Sequence, residues 1–181
     1  MKEIVSTTII LFVAMKLSIA QTFPDPEFSS RPYFIANDST LKTLEKTEAK
    51  YEIKIKGMGY GGSEVYYTAF KPKAEIRFSK VSLPRLIIKI ETDIDPSDIV
   101  TLIKAVVLSD RRRYVQSSMA LGGKARDISK YYVKLEFKKI QEEIYEIILP
   151  QNMEVGEYAF MPILFDSGNI MKQKIYCFGV D

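Results

Sequence analysis

The stretch Tyr131-Tyr132-Val133-Lys134-Leu135-Glu136-Phe137-Lys138 alternates between two kinds of side chain without a slip. Tyr131, Val133, Leu135 and Phe137 fall on one face of an extended chain; Tyr132, Lys134, Glu136 and Lys138 fall on the other. Side chains repeat every two residues in a strand and every 3.6 in a helix, so this period specifies a strand. One face is buried and the other is wet, which antiparallel sheets allow.

The same period recurs outward in both directions. Tyr51-Glu52-Ile53-Lys54-Ile55-Lys56 puts Tyr51, Ile53 and Ile55 on one face. Ala74, Ile76 and Phe78 alternate with Glu75 and Arg77. Arg85 to Thr92 and Ile144 to Leu149 are more continuously apolar, as central strands are. Turn chemistry separates these runs at Asn37-Asp38-Ser39, Gly57 to Gly62, Lys71-Pro72, Asp93 to Asp98, Gly122-Gly123 and Ser167-Gly168-Asn169. Many short strands with regular turns predict a sandwich or barrel.

Ile99 to Leu108 is open to two readings. Asp95-Pro96-Ser97-Asp98 has the chemistry of a helix cap, and Ile99, Leu102, Ile103, Val106 and Val107 follow at helical spacing. The β-branched content favours a strand that turns at Ser109-Asp110 and returns along Arg112 to Gln116. At that turn, Arg111-Arg112-Arg113 reads as a solvated hairpin tip.

Met153-Glu154-Val155-Gly156-Glu157-Tyr158 carries a large apolar residue, a glycine, and a tyrosine two places on. That order matches a tyrosine corner, in which a hydroxyl bonds upstream backbone and closes the connection between two sheets of a Greek-key sandwich. Tyr158 supplies the hydroxyl and Gly156 the backbone freedom. An ordinary turn glycine followed by a core tyrosine fits the same letters.

At the N-terminus, Met1-Lys2 precedes an apolar run from Ile4 to Ala14, then Ser18-Ile19-Ala20 before Gln21. These are the parts of a secretory signal peptide. The run is shorter than the ~20 apolar residues of a transmembrane helix. The expectation is a signal peptide over 1–20 cleaved between Ala20 and Gln21, an extended lead-in over 21–31, and one domain over 32–181. The protein is then secreted or periplasmic.

Composition removes several function classes. There is no histidine, which excludes His-dependent triads, proton shuttles and metal sites. Tryptophan is absent, which weakens a carbohydrate platform. The one cysteine, Cys177, rules out an intrachain disulfide and reads as a small buried hydrophobe in Ile175-Tyr176-Cys177-Phe178. A formal charge of +3 without a basic face gives no sign of nucleic-acid binding. Gly57-Met58-Gly59-Tyr60-Gly61-Gly62 matches G-x-G-x-x-G by spacing, but a strand-like segment follows where a phosphate site needs a helix. It reads as a hairpin loop. Asp93, Asp95 and Asp98 carry the oxygens calcium uses, yet in a proline-containing turn they read as caps. No cofactor, metal or catalytic constellation is expected. Tyr60, Tyr66 and Tyr67 around the glycine loop are the candidate binding residues, with ordinary strand aromatics as the alternative.

Three segments carry a resemblance: Pro32-Tyr33-Phe34 with Leu41 to Lys46, GEYAF at Gly156 to Phe160, and the ending Cys177-Phe178-Gly179-Val180-Asp181. Together they resemble a family of uncharacterised secreted proteins of Bacteroidetes. The resemblance implies an immunoglobulin-like domain at the cell envelope and brings no catalytic residues with it. The expected fold is therefore all-β, an antiparallel Greek-key β-sandwich of immunoglobulin-like type. The expected role is non-catalytic binding or support, with an envelope or extracellular protein as partner rather than a glycan. Two alternatives stand beside it: a hydrolase working through Asp and Glu alone, and an inhibitor or immunity-type partner of an exported enzyme.

Overall fold

The computed structural model describes residues 24–163 and 171–181. The segment read as a signal peptide and the turn at Ser167-Gly168-Asn169 lie outside the described residues.

The strands, in chain order, are β1 (Pro32–Ile35), β2 (Leu41–Thr43), β3 (Glu45–Ile55), β4 (Ser63–Phe70), β5 (Arg77–Phe78), β6 (Leu86–Lys89) and β7 (Val100–Lys104). They continue with β8 (Val106–Val107), β9 (Arg111–Met119), β10 (Tyr132–Val133), β11 (Glu136–Gln141), β12 (Ile144–Ile148), β13 (Gly156–Pro162) and β14 (Lys172–Val180). The fold is all-β, with short 3-10 turns as its only helical elements among the described residues. None of these is long and apolar enough to cross a membrane. The ambiguous segment is strand: β7 and β8 follow a 3-10 turn in which Asp95 caps the Ser97 amide at 2.8 Å.

Two sheets pack in a sandwich-like arrangement. The smaller has the order β11-β12-β6-β1-β2, all antiparallel, with the apolar β6 at its centre. The larger has the order β10-β7-β13-β14-β3-β4-β9-β8, and β5 joins β14 in parallel. Its ends meet. β7 and β8 are one strand interrupted at Ala105; β7 pairs with β13, while β8 pairs with β9. The sheet therefore curls into a barrel in which β7 and β8 complete the ring.

This curl creates two cores on opposite faces of the same strands. Leu102, Tyr158, Phe160 and Phe178 face the smaller sheet, where Leu86, Ile88 and Ile147 meet them. Ile103, Ala159, Met161, Ile175 and Cys177 face the barrel interior beside Ala49, Tyr67, Ala69 and Tyr114. Small residues on β13 and β14 make room for the two tyrosines opposite. A strand apolar on both faces is buried throughout, and Glu157 to Met161 is buried without a break.

The opening stretch is split between the layers. Tyr132–Val133 pairs with β7 in the barrel, whereas Glu136–Gln141 pairs with β12 in the smaller sheet. One alternating run thus passes from one layer to the other and ties them together.

The Tyr158 hydroxyl donates to the Glu154 carbonyl at 2.7 Å, and its ring stacks on Phe178 at 5.6 Å between centroids. Gly156 has φ 158°, a positive value that L side chains rarely adopt, so the position favours glycine. A side chain there would also meet Lys104 Cε at 3.1 Å. Tyr158→Phe should keep the ring and lose about 0.5–1.5 kcal/mol of stability, the usual net worth of one hydrogen bond. Urea denaturation should show a lower midpoint with an unchanged slope.

Candidate binding surface and the buried charge cluster

The two ends of the barrel are built oppositely. One is closed by charge. Arg112 follows Arg111 into β9, opposite Ala69 on β4, and its side chain points inward with no exposed surface. Its Nη2 donates to Glu45 Oε1 at 2.7 Å, and Nη1 lies 3.7 Å from Glu157 Oε2. Glu157 also accepts from the Ala74 amide at 2.7 Å and from Arg77 Nη1 at 2.6 Å. Glu45 accepts from the Thr47 hydroxyl at 3.1 Å and from the Glu75 amide. Arg77 in turn holds Asp181 with Nε at 2.7 Å. Its guanidinium lies on the β14 backbone so closely that a Cβ on Gly179 would stand 2.3 Å from Nη1. The cluster ties β3, β9, β13, the segment Ala74 to Arg77 and the C-terminal residue into one plug.

The solvated reading of Arg111-Arg112-Arg113 is therefore corrected at its centre. Alternation puts Arg111 and Arg113 on the outer face, with Arg111 on Asp110 and Arg113 over the Tyr66 ring at 4.6 Å. Arg112 has to point inward, and only the carboxylates of distant strands make that tolerable. Exposed pairs such as Lys71–Glu75 are screened by solvent and add little to stability. Breaking a buried pair by removing one partner costs about 3–5 kcal/mol. The Arg112 cluster is the electrostatic feature that matters for this fold.

Beside it lies Cys177, fully buried, with the Tyr114 hydroxyl 3.5 Å from its Sγ. Burial pushes the thiol up to about 12, against a smaller opposing pull from Arg112. Burial likewise raises the Tyr114 phenol.

At the other end the described residues expose apolar side chains. β3 and β4 run past the barrel wall: β14 begins at Lys172, opposite Lys50, and β3 continues to Ile55. β9 accompanies them to Met119. Register places Ile53, Val65 and Ser117 side by side, and then Ile55, Ser63 and Met119, on the face that lines the barrel lower down. Ile53 and Ile55 were read as the buried face of their strand, but they are 58% and 68% exposed. Met58 and Tyr60 at the hairpin tip are 100% and 79% exposed, and Leu121 on the next loop is exposed too. With Ile163 and Met171 at the same rim, half of the large apolar side chains that the described residues expose gather here.

The two loops are locked together. Arg126 Nη2 donates to the Gly61 carbonyl at 3.1 Å. Gly62 has φ 80°, and a Cβ there would stand 1.9 Å from the Met119 carbonyl oxygen, so only glycine fits.

The three candidate tyrosines do not form one surface. Tyr60 is exposed in the loop. Tyr67 points into the barrel, edge-on to Tyr51 at 5.7 Å. Tyr66 faces outward, as one of the pair must, but Arg113 covers it and leaves it buried. The expected patch thus reduces to Tyr60, joined by Ile53, Ile55, Met58, Met119 and Leu121. Exposed isoleucines within a clean alternation were the available signal; strand period alone cannot tell a face that is covered from one that is not.

No protein family, curated protein or solved structure matches this chain.

Two measurements follow from the charged end. Burial pushes the Glu45 carboxyl up, but Arg112, the Glu75 amide and Thr47 outweigh it and hold the group below its ordinary 4.5. A lowered folded pKa gives stability that is present above the unfolded value and lost as pH falls through the folded one. Wild type should therefore weaken as pH drops below 4.5. Arg112→Met should cost about 3–5 kcal/mol at pH 7. It should also shrink the Glu45 contribution, because only the Glu75 amide and Thr47 then oppose burial. Urea titrations of both proteins across the acid range check this.

The thiol behaves in the opposite sense. A folded pKa near 12, above the ordinary 9.0, gives stability that is present below 9.0 and lost as pH rises. Native Cys177 should resist a disulfide-exchange reagent at pH 8 and react at once in denaturant, and the unfolding midpoint should fall above pH 9.0.

Proposed function

We propose that this chain is a secreted or periplasmic non-catalytic binding or supporting domain of the cell envelope, and that its partner is a protein. The observation that carries this reading is the apolar end of the barrel, where Ile53, Ile55, Met58, Tyr60, Met119 and Leu121 are exposed on β3, β4, β9 and their loops. Contiguous exposed apolar surface marks interaction sites. The Ser18-Ile19-Ala20 exit site and the resemblance to secreted envelope proteins of immunoglobulin-like type supply the location.

The distribution of reactive groups supports the same reading. Arg112, Glu45, Glu157, Tyr114 and Cys177 hold one another inside the barrel and present nothing to a substrate. Carboxylate hydrolysis needs two acidic groups facing one space, one with a raised pKa. Among the described residues, four open clefts of about 600, 350, 330 and 270 Å³ are lined by one carboxylate each, Asp38, Glu136, Glu146 and Glu154 respectively. Asp38, Glu146 and Glu154 are held below the ordinary carboxylate range, chiefly by hydrogen bonds from Thr40, Arg85 and Lys104 respectively.

Crosslinking in the native envelope, with a photoreactive group placed at position 60, tests the reading through the protein it captures. Tyr60→Ala should leave stability within about 0.5 kcal/mol of wild type, since the residue is 79% exposed. Capture by the identified partner should weaken by more than about 1 kcal/mol, as loss of an interface aromatic does. Unchanged capture would move the surface to another face, and a mature protein that keeps Met1 to Ala20 in the cytoplasm would remove the location.

A further inference from the structure

We infer that the cleft where β10 leaves β7 is a binding site for the phosphate group of a phosphomonoester, held by Lys104, Lys130 and Lys134. The inference goes beyond the apolar surface around Tyr60 and stands or falls separately from it.

Three parts of the chain build the cleft. β7 ends at Lys104, opposite Tyr158 on β13. β10 pairs with the residues just before it, Tyr132 with Ile103 and Val133 with Leu102. Lys130 ahead of β10 and Lys134 after it therefore line the same cleft as Lys104. The turn from Pro150 to Glu154 forms the third side, before β13 begins. The space between them is about 270 Å³. It lies at the Tyr158 end of β13, away from Pro162 and Ile163, where the described chain breaks off. It also lies past the Ile148 end of β12, away from Ile144 and Lys89, where Asp25 brings in the N-terminal lead-in.

Charge selects the ligand. Three ammonium groups line the cleft with one carboxylate, Glu154. Like charges gathered in one small space repel, so the walls favour an anion. Lys104 is the fixed member: its stem lies 3.1 Å from where a Cβ on Gly156 would stand, and its Nζ holds Glu154. Glu154 is the displaceable one, with a side chain 75% exposed. Asp127 lies close enough to Lys130 to feel its charge, but its carboxylate caps the Ser129 amide at 2.8 Å. Lysines are compact point charges with three donors each, unlike the planar arginine fork that matches a carboxylate. A tetrahedral dianion with oxygens on every side uses them best, with the Tyr132 phenol and the Asn152 amide as neutral donors. Val133, Pro150 and Met153 offer an apolar wall to the group that carries the phosphate.

Nuclear magnetic resonance titration of the full chain with phenyl phosphate tests the site. Amide signals of Lys104, Lys130, Tyr132, Lys134 and Asn152 should shift together and saturate. Binding should strengthen as pH rises through about 6, where the ester becomes a dianion. The chain has no histidine to produce that step, and Lys104 holds the Glu154 carboxyl below its ordinary 4.5. Phenylacetate, planar and singly charged, should bind about fivefold more weakly. Lys134→Gln should weaken phenyl phosphate about fivefold. Glu154→Gln releases Lys104 and should tighten it about threefold, which a folding defect cannot mimic. Tyr60→Ala should change none of these. Vesicles of phosphatidylcholine with phosphatidic acid sort the source: uptake that Lys134→Gln abolishes supports a lipid-borne phosphate, and phenyl phosphate binding without uptake supports a soluble one. Four results would each overturn the inference: no saturable shift at these residues with millimolar phenyl phosphate; shifts spread evenly over the surface lysines; equal binding of phenylacetate; and no tightening in Glu154→Gln.

Discussion

A guanidinium with no exposed surface holds the barrel shut. Arg112 stands where β9 meets both β4 and the closing strand β8, so its position belongs to the seam of the ring. Desolvating that charge is tolerable only because Glu45 comes from the start of β3 and Glu157 from the start of β13. Those two carboxylates lie on strands far apart in sequence and not adjacent in the sheet. A slip of β9 by one residue would turn Arg112 and Tyr114 outward and bring Arg111 or Arg113 to the charge cluster, so the register of β9 is set by the buried Tyr114 as well as by the cation.

The other features follow from that closure. Once the sheet curls, β13 and β14 lie between two cores, and their residues alternate between aromatic on the sandwich side and small on the barrel side. Phe160 and Phe178 face the smaller sheet while Ala159 and Cys177 face the interior. The interior volume goes to Tyr67 and Tyr114, whose rings fill the barrel. Arg77, lying flat on Gly179, then fastens the C-terminal residue to the same plug. The reactive side chains are concentrated at this end and are engaged with one another. Half of the large apolar side chains that the described residues expose lie at the other.

Particular residues show how far the sequence could be read. Tyr158 was legible because a hydroxyl bond four residues upstream is a local arrangement, written in one short stretch. Cys177 was legible as buried because its neighbours are apolar on both sides. Arg112 was not, since a triple arginine beside an aspartate looks like a solvated turn unless Glu45 and Glu157 are known to converge on its middle member. Ile53 and Ile55 were misread in the other direction. Their alternation identifies one face of a strand, but among the described residues that face is exposed at Ile53 and Ile55.

The sequence by itself determined the strands, their turns and their antiparallel character, because period-two patterning and turn chemistry act over a few residues. It also determined which chemistries are absent, since a chain without histidine and with one cysteine cannot assemble the sites that need them. Tertiary structure alone decided which apolar face is a core and which is a surface, that Val100 to Val107 joins both margins of one sheet, and that three charged groups from separate strands share one buried cluster. Those outcomes depend on pairing between residues far apart in the chain, where burial and charge are properties of the neighbours that closure brings together.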